Sequence, residues 1–160
     1  MSHSTIASAL AGVVGARFVR TAKAELATFA SDGLPTHRRV PEVVVLPGSA
    51  DEVQAVVQLL ARDGVPFVAR GAGTGLSGGA LAESPAVLVT LTRLARVLRV
   101  DAANRRAVVE PGVVNASLSR AAAPFGLHHR RQRGGERRRA ALPEVRRHHQ
   151  PHPVAGRDSA

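Results

Sequence analysis

Apolar residues recur at three- and four-residue spacings through Ile6, Leu10, Val13, Val14, Phe18 and Val19 in an alanine-rich stretch. That pattern predicts one helix over residues 4–30, stopped by Ser31-Asp32-Gly33 and Pro35. Val43–Leu46 is a short β-branched run that predicts a first strand, and Pro47-Gly48 turns the chain after it. Ser49 stands three residues before Glu52, the spacing of a capping box, ahead of a helix whose inner face is Val53, Val56, Val57 and Leu60. Gly64 ends that helix. Pro66–Arg70 and Val87–Leu91 read as strands on either side of a glycine-dense loop. Val97–Val100 and Arg106–Glu110 flank Asp101-Ala-Ala-Asn104, whose turn chemistry predicts a hairpin. Pro111-Gly112 closes the hairpin, Asn115 is placed to cap a short helix through Ala122, and Pro124 and Gly126 end it. Strands and helices so mixed give an α+β class. The expected core is Val43–Leu46, Val53–Leu60, Phe67–Val68, Val87–Leu91 and Val108–Val109.

Beyond Leu127 no period of 2 or 3.6 survives, and composition changes at the same point. Residues 1–127 carry thirteen basic and nine acidic residues, a net +4, whereas residues 128–160 carry nine Arg and three acids, a net +6. That last segment also holds five of the seven His and only three large apolar residues, Leu142, Val145 and Val154. Three segments follow: a helical lead-in over 1–36, a folded region over 37–127 and a basic tail over 128–160, expected to be disordered. The whole chain has 160 residues, 44% of them hydrophobic, which suffices for one core. There is no Cys, so thiol nucleophiles, disulfides and Cys-ligated zinc are excluded. Aromatic residues make up 2%, with no Trp or Tyr, which removes the base-stacking platforms of single-strand binders. No apolar run reaches the 18 residues of a membrane span, and no basic residue precedes Ile6–Ala16 as it would in a secretory signal. The expected location is cytoplasmic.

The segment Arg70-Gly71-Ala72-Gly73-Thr74-Gly75-Leu76-Ser77-Gly78-Gly79 carries the chemistry. Glycines let the backbone take positive φ and let a ligand come close, and successive N–H groups form a nest for anionic oxygens. Thr74 and Ser77 add hydroxyls. The reading is a pyrophosphate cradle. Gly73–Gly78 matches G-x-G-x-x-G, but a Rossmann site needs a helix opening inside the glycines and a crossover to a parallel strand. Only Ala80–Pro85 separates Gly79 from the next strand, fewer residues than the dozen or so of a crossover, so the loop itself is taken as the cradle. A ligand-free flexible linker is the competing reading. Pro111-Gly112 is equally an ordinary strand terminator, and Arg70 an ordinary surface charge.

The order Val43-Val-Val-Leu-Pro47, a Ser-x-x-Glu-capped helix, Gly64-Val-Pro-Phe-Val-Ala-Arg-Gly-Ala-Gly-Thr-Gly-Leu-Ser-Gly-Gly79 and Val108-Val-Glu-Pro-Gly-Val113 closely resembles one family. It is similar to the FAD-binding (PCMH-type) domain of the vanillyl-alcohol-oxidase-type flavoproteins, and within them to the glycolate oxidase D subunit and D-lactate dehydrogenase group. The resemblance runs from about Leu10 to Leu127 and extends to Ala30-Ser-Asp-Gly33. It implies a truncated PCMH-type FAD domain with FAD as cofactor. It also implies that the backbone of Gly71–Gly79 holds the pyrophosphate, that Arg70 lies beside the cofactor, and that Pro111 and Gly112 line the flavin side. The implied activity of the intact protein is oxidation of a small 2-hydroxy acid, glycolate or D-lactate, with partner subunits of a glycolate oxidase-type complex. The implied substrate domain lies C-terminal to this region, so no residue here is assigned to catalysis, and the fragment is expected to be inactive alone.

After Phe125-Gly-Leu127 the resemblance stops. The family continues with a Gly-Gly-Asn loop and a Cys-Leu-Lys-Tyr-Gly stretch. Read one base later, the codons allowed for Leu142–His152 permit Cys-Leu-Lys-Tyr-Gly-Val-Thr-Thr-Asn-His in order, and those for Gly135–Arg139 permit Gly-Asn-Val-Ala-Glu. The tail therefore reads as an out-of-frame rendering of the same domain. Two other readings compete: a basic tail that binds nucleic acid non-specifically, and a metal site at His148, His149 and His152, which Pro151 and Pro153 argue against. From other classes of function, the alternatives are a small basic nucleic-acid-binding protein with a glycine-rich loop and a phosphate-binding module without redox activity. The charge lies in a featureless segment, which argues against specific nucleic-acid recognition.

Overall fold

The computed structural model describes residues 3–33, 36–76, 78–82 and 86–127, all within one compact unit. The expectations for Ser77 and for residues 128–160 lie outside the described residues.

The first helix, α1, covers His3–Val14, and Ile6, Leu10 and Val14 form its buried stripe. The single helix expected over 4–30 does not form. Gly15 sits at φ 86°, which breaks the helix, and a 3₁₀ turn over Ala16–Phe18 leads into a two-residue strand, β1 (Val19–Arg20). A short α2 (Lys23–Ala27) follows, with Leu26 buried. Alanine content favours helix throughout, but β1 exists only because β2 (Val43–Val45) lies beside it, with Val19 opposite Val45 and Arg20 opposite Val44. A pairing of that kind has no local signature.

The capping box forms as its spacing predicts. Ser49 Oγ accepts from the Glu52 N–H at 3.1 Å, Glu52 Oε2 accepts from the Gly48 N–H at 2.6 Å, and α3 runs over Ala50–Arg62. Arg93 locks the same corner: its Nη1 donates to the Leu46 carbonyl at 2.6 Å, and its guanidinium lies over the Phe18 ring.

β3 (Phe67–Arg70) and β4 (Val87–Thr90) complete a four-stranded sheet in the order β1-β2-β4-β3, in which β2, β4 and β3 are parallel. Every residue of β2 and β4 is buried, the mark of parallel strands covered on both faces. Val43, Val45, Val87 and Val89 meet Ile6, Leu10, Val56 and Leu60 on one face, and Val44 and Leu88 meet Leu26, Ala82 and Ala86 on the other. The adjacency of β3 and β4 corrects the crossover count. The whole segment 71–86 joins the two strands, and it meets the length requirement that Ala80–Pro85 alone does not. The glycine loop is itself the crossover connection.

β5 (Val97–Asp101) and β6 (Arg106–Val109) form the expected hairpin as a separate two-stranded sheet. Asp101 Oδ1 accepts from the Asn104 N–H and Oδ2 from its side-chain amide. Because this sheet is not paired with the other, Val108 and Val109 are exposed and are not core residues as expected; Phe67, on the edge strand β3, is exposed too. In α4 (Asn115–Ala122) the capping position falls on Val114, with Asn115 the first helical residue, so Asn115 does not cap. Gly126 at φ 69° ends the 3₁₀ turn that follows.

Candidate functional site

The glycine loop leaves the carboxyl end of β3, at the edge of the parallel sheet where connecting loops form binding crevices in open α/β sheets. Ala72, Thr74, Gly75 and Leu76 are exposed. Among the described residues, no backbone N–H from Gly71 to Leu76 donates to another backbone carbonyl. Six consecutive donors thus lack a main-chain partner among the described residues and are left to water or a ligand. The directions in which a Cβ would project from Gly75, Gly78 and Gly79 are open. The result is a donor-rich, sterically clear surface suited to anionic oxygen.

The loop is held from behind. Arg70 is buried, and its Nη1 donates to the Ser31 carbonyl at 2.9 Å and the Phe29 carbonyl at 3.2 Å. Burial pushes the guanidinium pKa down and the charge of Asp32 opposes that shift. Arg70 is therefore not a surface charge. Gly73 takes φ 70°, and a Cβ there would strike the Arg70 guanidinium, with Nε at 2.6 Å. The Gly33 N–H donates to the Gly75 carbonyl at 3.0 Å. Phe29, Ser31 and Gly33 thus support the loop, although sequence reasoning placed no role on them; the sequence signals there were the helix stop at Ser31-Asp32-Gly33 and the family resemblance over Ala30–Gly33.

Pro111 comes to the loop: its carbonyl lies 3.9 Å from the Cβ direction of Gly71. Gly112 has a different reason to be glycine. Its N–H donates to the Leu94 carbonyl at 2.8 Å, and a Cβ would press within 2.8 Å of that oxygen and 3.1 Å of Thr92 Cα. The Gly112 N–H is thus already bonded within the protein. Glu110 fixes the approach to Pro111. Its Oε1 accepts from Arg96 Nη2 at 2.6 Å and Nε at 2.9 Å, and its Oε2 from the Arg96 N–H at 2.7 Å. These bonds hold its carboxyl below the usual range, through the Arg96 side chain first and the Arg96 N–H second. A folded-state pKa below the unfolded one gives stability that is full above the unfolded value and is lost as pH falls through the folded one. Amides of β5 and β6 are therefore expected to lose exchange protection on acidification below the ordinary carboxylate range, while β2 and β4 amides keep theirs; equal loss in both sheets would contradict this.

Among the described residues, no helix is long and apolar enough to cross a membrane. A cavity of about 450 Å³ lined by Ser4, Ala7, Ser8, Thr21, Glu42 and Val43 shares no residue with the loop.

Comparison with known proteins agrees with the geometry. Residues 41–130 match the family model described as FAD binding domain. The chain is 43% identical over 105 residues to the glycolate oxidase subunit GlcD of Escherichia coli K12, covering 66% of this chain and 21% of that protein. It is 35% identical over 109 residues to the D-2-hydroxyglutarate dehydrogenase of Xanthomonas citri, covering 68% and 23%. Among solved structures, the 4-ethylphenol oxidase of Gulosibacter chungangensis superposes with a TM-score of 0.68 at 29% identity, covering 77% of this chain and 24% of that one. The chain spans about a fifth of the length of the curated relatives it matches. None of these relatives is a nucleic-acid-binding protein by name.

Proposed function

Because this chain belongs to the FAD binding domain family, with a PCMH-type α+β fold and FAD as its cofactor, we propose that it is the cofactor-holding part of an enzyme that oxidises a small 2-hydroxy acid of the glycolate or D-lactate type. The observation that carries the reading is the row of N–H groups on Gly71–Leu76 with no main-chain partner among the described residues, beside open Cβ directions at Gly75, Gly78 and Gly79. The residues fit the group: a diphosphate offers several anionic oxygens, and the loop offers N–H donors, the Thr74 hydroxyl and open Cβ directions at Gly75, Gly78 and Gly79. Ser77, Gly78 and Gly79 would continue the cradle, and Pro111 would flank it. FAD, when bound, supplies the two-electron acceptor. Relatives named glycolate oxidase subunit and D-lactate dehydrogenase support the substrate class. The word subunit in the first supports partner chains in the same complex. No residue of this chain is assigned to the reacting acid/base group. A cytoplasmic location completes the proposal.

Residues 128–160 are proposed to be an out-of-frame reading of the same domain. The family match ends at residue 130, three residues past the change of composition after Leu127, which supports this. Sequencing the gene through codons 120–160 checks it; an intact single frame that encodes the tail would overturn it.

The cradle is one wall of a cofactor site. The full chain is therefore expected to bind ADP with a dissociation constant on the order of 1 mM, and FAD more weakly than low micromolar, since ordering costs offset most of a few hydrogen bonds. In an ADP titration followed by amide chemical shifts, residues 71–76 should move first. Shifts confined to other residues would overturn the assignment of the loop.

A further inference from the structure

We propose that Arg70 is a positioning residue that makes segment 29–33 part of the nucleotide site, by latching the back of the glycine loop to the carbonyls of Phe29 and Ser31. The proposal rests on the reading of the loop as the diphosphate cradle. Its geometry is independent of that reading. Arg70 ends β3 and is buried at 8% exposure, so the loop begins at a residue that cannot swing outward. A single nitrogen, Nη1, makes both bonds to the segment. The guanidinium also lies over the Phe29 ring at 5.8 Å. The rest of the group sits directly under Gly73, where a Cβ has no room. A second tie, from the Gly33 N–H to the Gly75 carbonyl, joins the same two segments two residues further along the loop. A Cβ on Gly33 would come within 2.8 Å of the Thr74 and Gly75 carbonyls, so the two backbones are packed to contact. The loop from Gly71 to Leu76 has no main-chain bond of its own besides this one among the described residues. Its shape is therefore set from Arg70 and Gly33. The partners of Arg70 lie 39 and 41 residues earlier in the chain, so the N-terminal segment decides whether the donors of the loop point together.

Charge alone would make Arg70 a direct ligand of the diphosphate through its Nε and Nη2 edge. The two roles differ in what a lysine can replace. One ammonium can serve two carbonyls now served by one nitrogen, but it cannot reproduce a planar two-point contact with phosphate.

The test uses the full chain and three variants, R70K, R70M and G33A, with two readouts: backbone order parameters of residues 71–76 from amide nitrogen relaxation, and ADP affinity from chemical shifts. R70M is expected to lower the loop order parameters from the rigid range of about 0.85 to below about 0.6 and to weaken ADP at least tenfold, while those of α3, β2 and β4 stay unchanged. R70K should recover most of both. G33A, which leaves Arg70 in place, should reproduce the loop effect of R70M. Loss of ADP binding in R70M and R70K alike, with loop order unchanged, would make Arg70 a direct ligand and overturn the proposal. Unchanged loop order and unchanged affinity in R70M would overturn it as well. If the parent chain shows no ADP shifts at residues 71–76, the cradle reading fails, and the order of the loop in R70M and G33A still decides whether the latch exists.

Discussion

Gly75→Val, introduced into a protein in which residues 1–127 continue in frame, is expected to abolish FAD binding while leaving the fold intact. Gly75 is exposed, its Cβ direction is open, and its φ is not in the left-handed region. Its carbonyl accepts the Gly33 N–H, a bond that a side chain does not disturb. Valine therefore fits the protein and fills only the space through which a phosphate would approach. Losing two or more hydrogen bonds to a charged group, each worth about 1.5–3 kcal/mol, weakens binding by at least a hundredfold. Gly73→Val is expected to lose flavin by another route. A β-branched residue at φ 70° is strained by roughly 1–3 kcal/mol, and its Cβ collides with Arg70. That variant should show a lowered thermal midpoint together with lost flavin, and Gly75→Val lost flavin alone. Flavin absorbance per mole of protein after gel filtration, read beside a melting curve, separates the two. Full flavin content in Gly75→Val would remove the loop from the cofactor site.

The parts of this fold that are legible in sequence are those whose cause is local. Ser49 and Glu52 sit three residues apart and bond across that interval. Asp101 reaches Asn104 over the same distance, and Gly64 and Gly126 take the positive φ that ends their helices. The glycine loop is legible as a connection between strands because glycine types and a lack of hydrophobic period are themselves local signals. What escapes is set by distant partners. Arg70 has the look of a surface charge because its carbonyl partners are about forty residues away. Val108 and Val109 are β-branched, as many buried strand residues are, but their hairpin pairs only with itself. Gly112 looks in sequence like a strand breaker or a ligand contact, and a Cβ there would meet the carbonyls of Leu91 and Leu94. The break at Gly15 is hidden by alanine-rich flanks whose propensity favours one long helix.

That last break changes the stability of the whole unit. With the helix ended at Val14, β1 turns back onto β2, and α1 lies on the sheet beside α3. Leu10 and Leu60 are both fully buried, in one cluster with Val43, Val45, Val87 and Val89. Leu10→Ala is accordingly expected to lower unfolding free energy by about 2–5 kcal/mol, the range for a leucine truncated in a closed core, and Leu60→Ala by a similar amount. Against a typical total of about 5–15 kcal/mol, either change removes a large fraction of the stability. The two side chains share neighbours, so the double variant should not equal the sum of the single ones. Chemical denaturation of the parent and the three variants measures this. If residues 1–36 were a separable lead-in, Leu10→Ala would cost under about 1 kcal/mol, as substitutions away from a core do, and its effect would simply add to that of Leu60→Ala. A loss of similar size at both positions, with coupling between them, would instead place α1 in the core that carries the glycine loop.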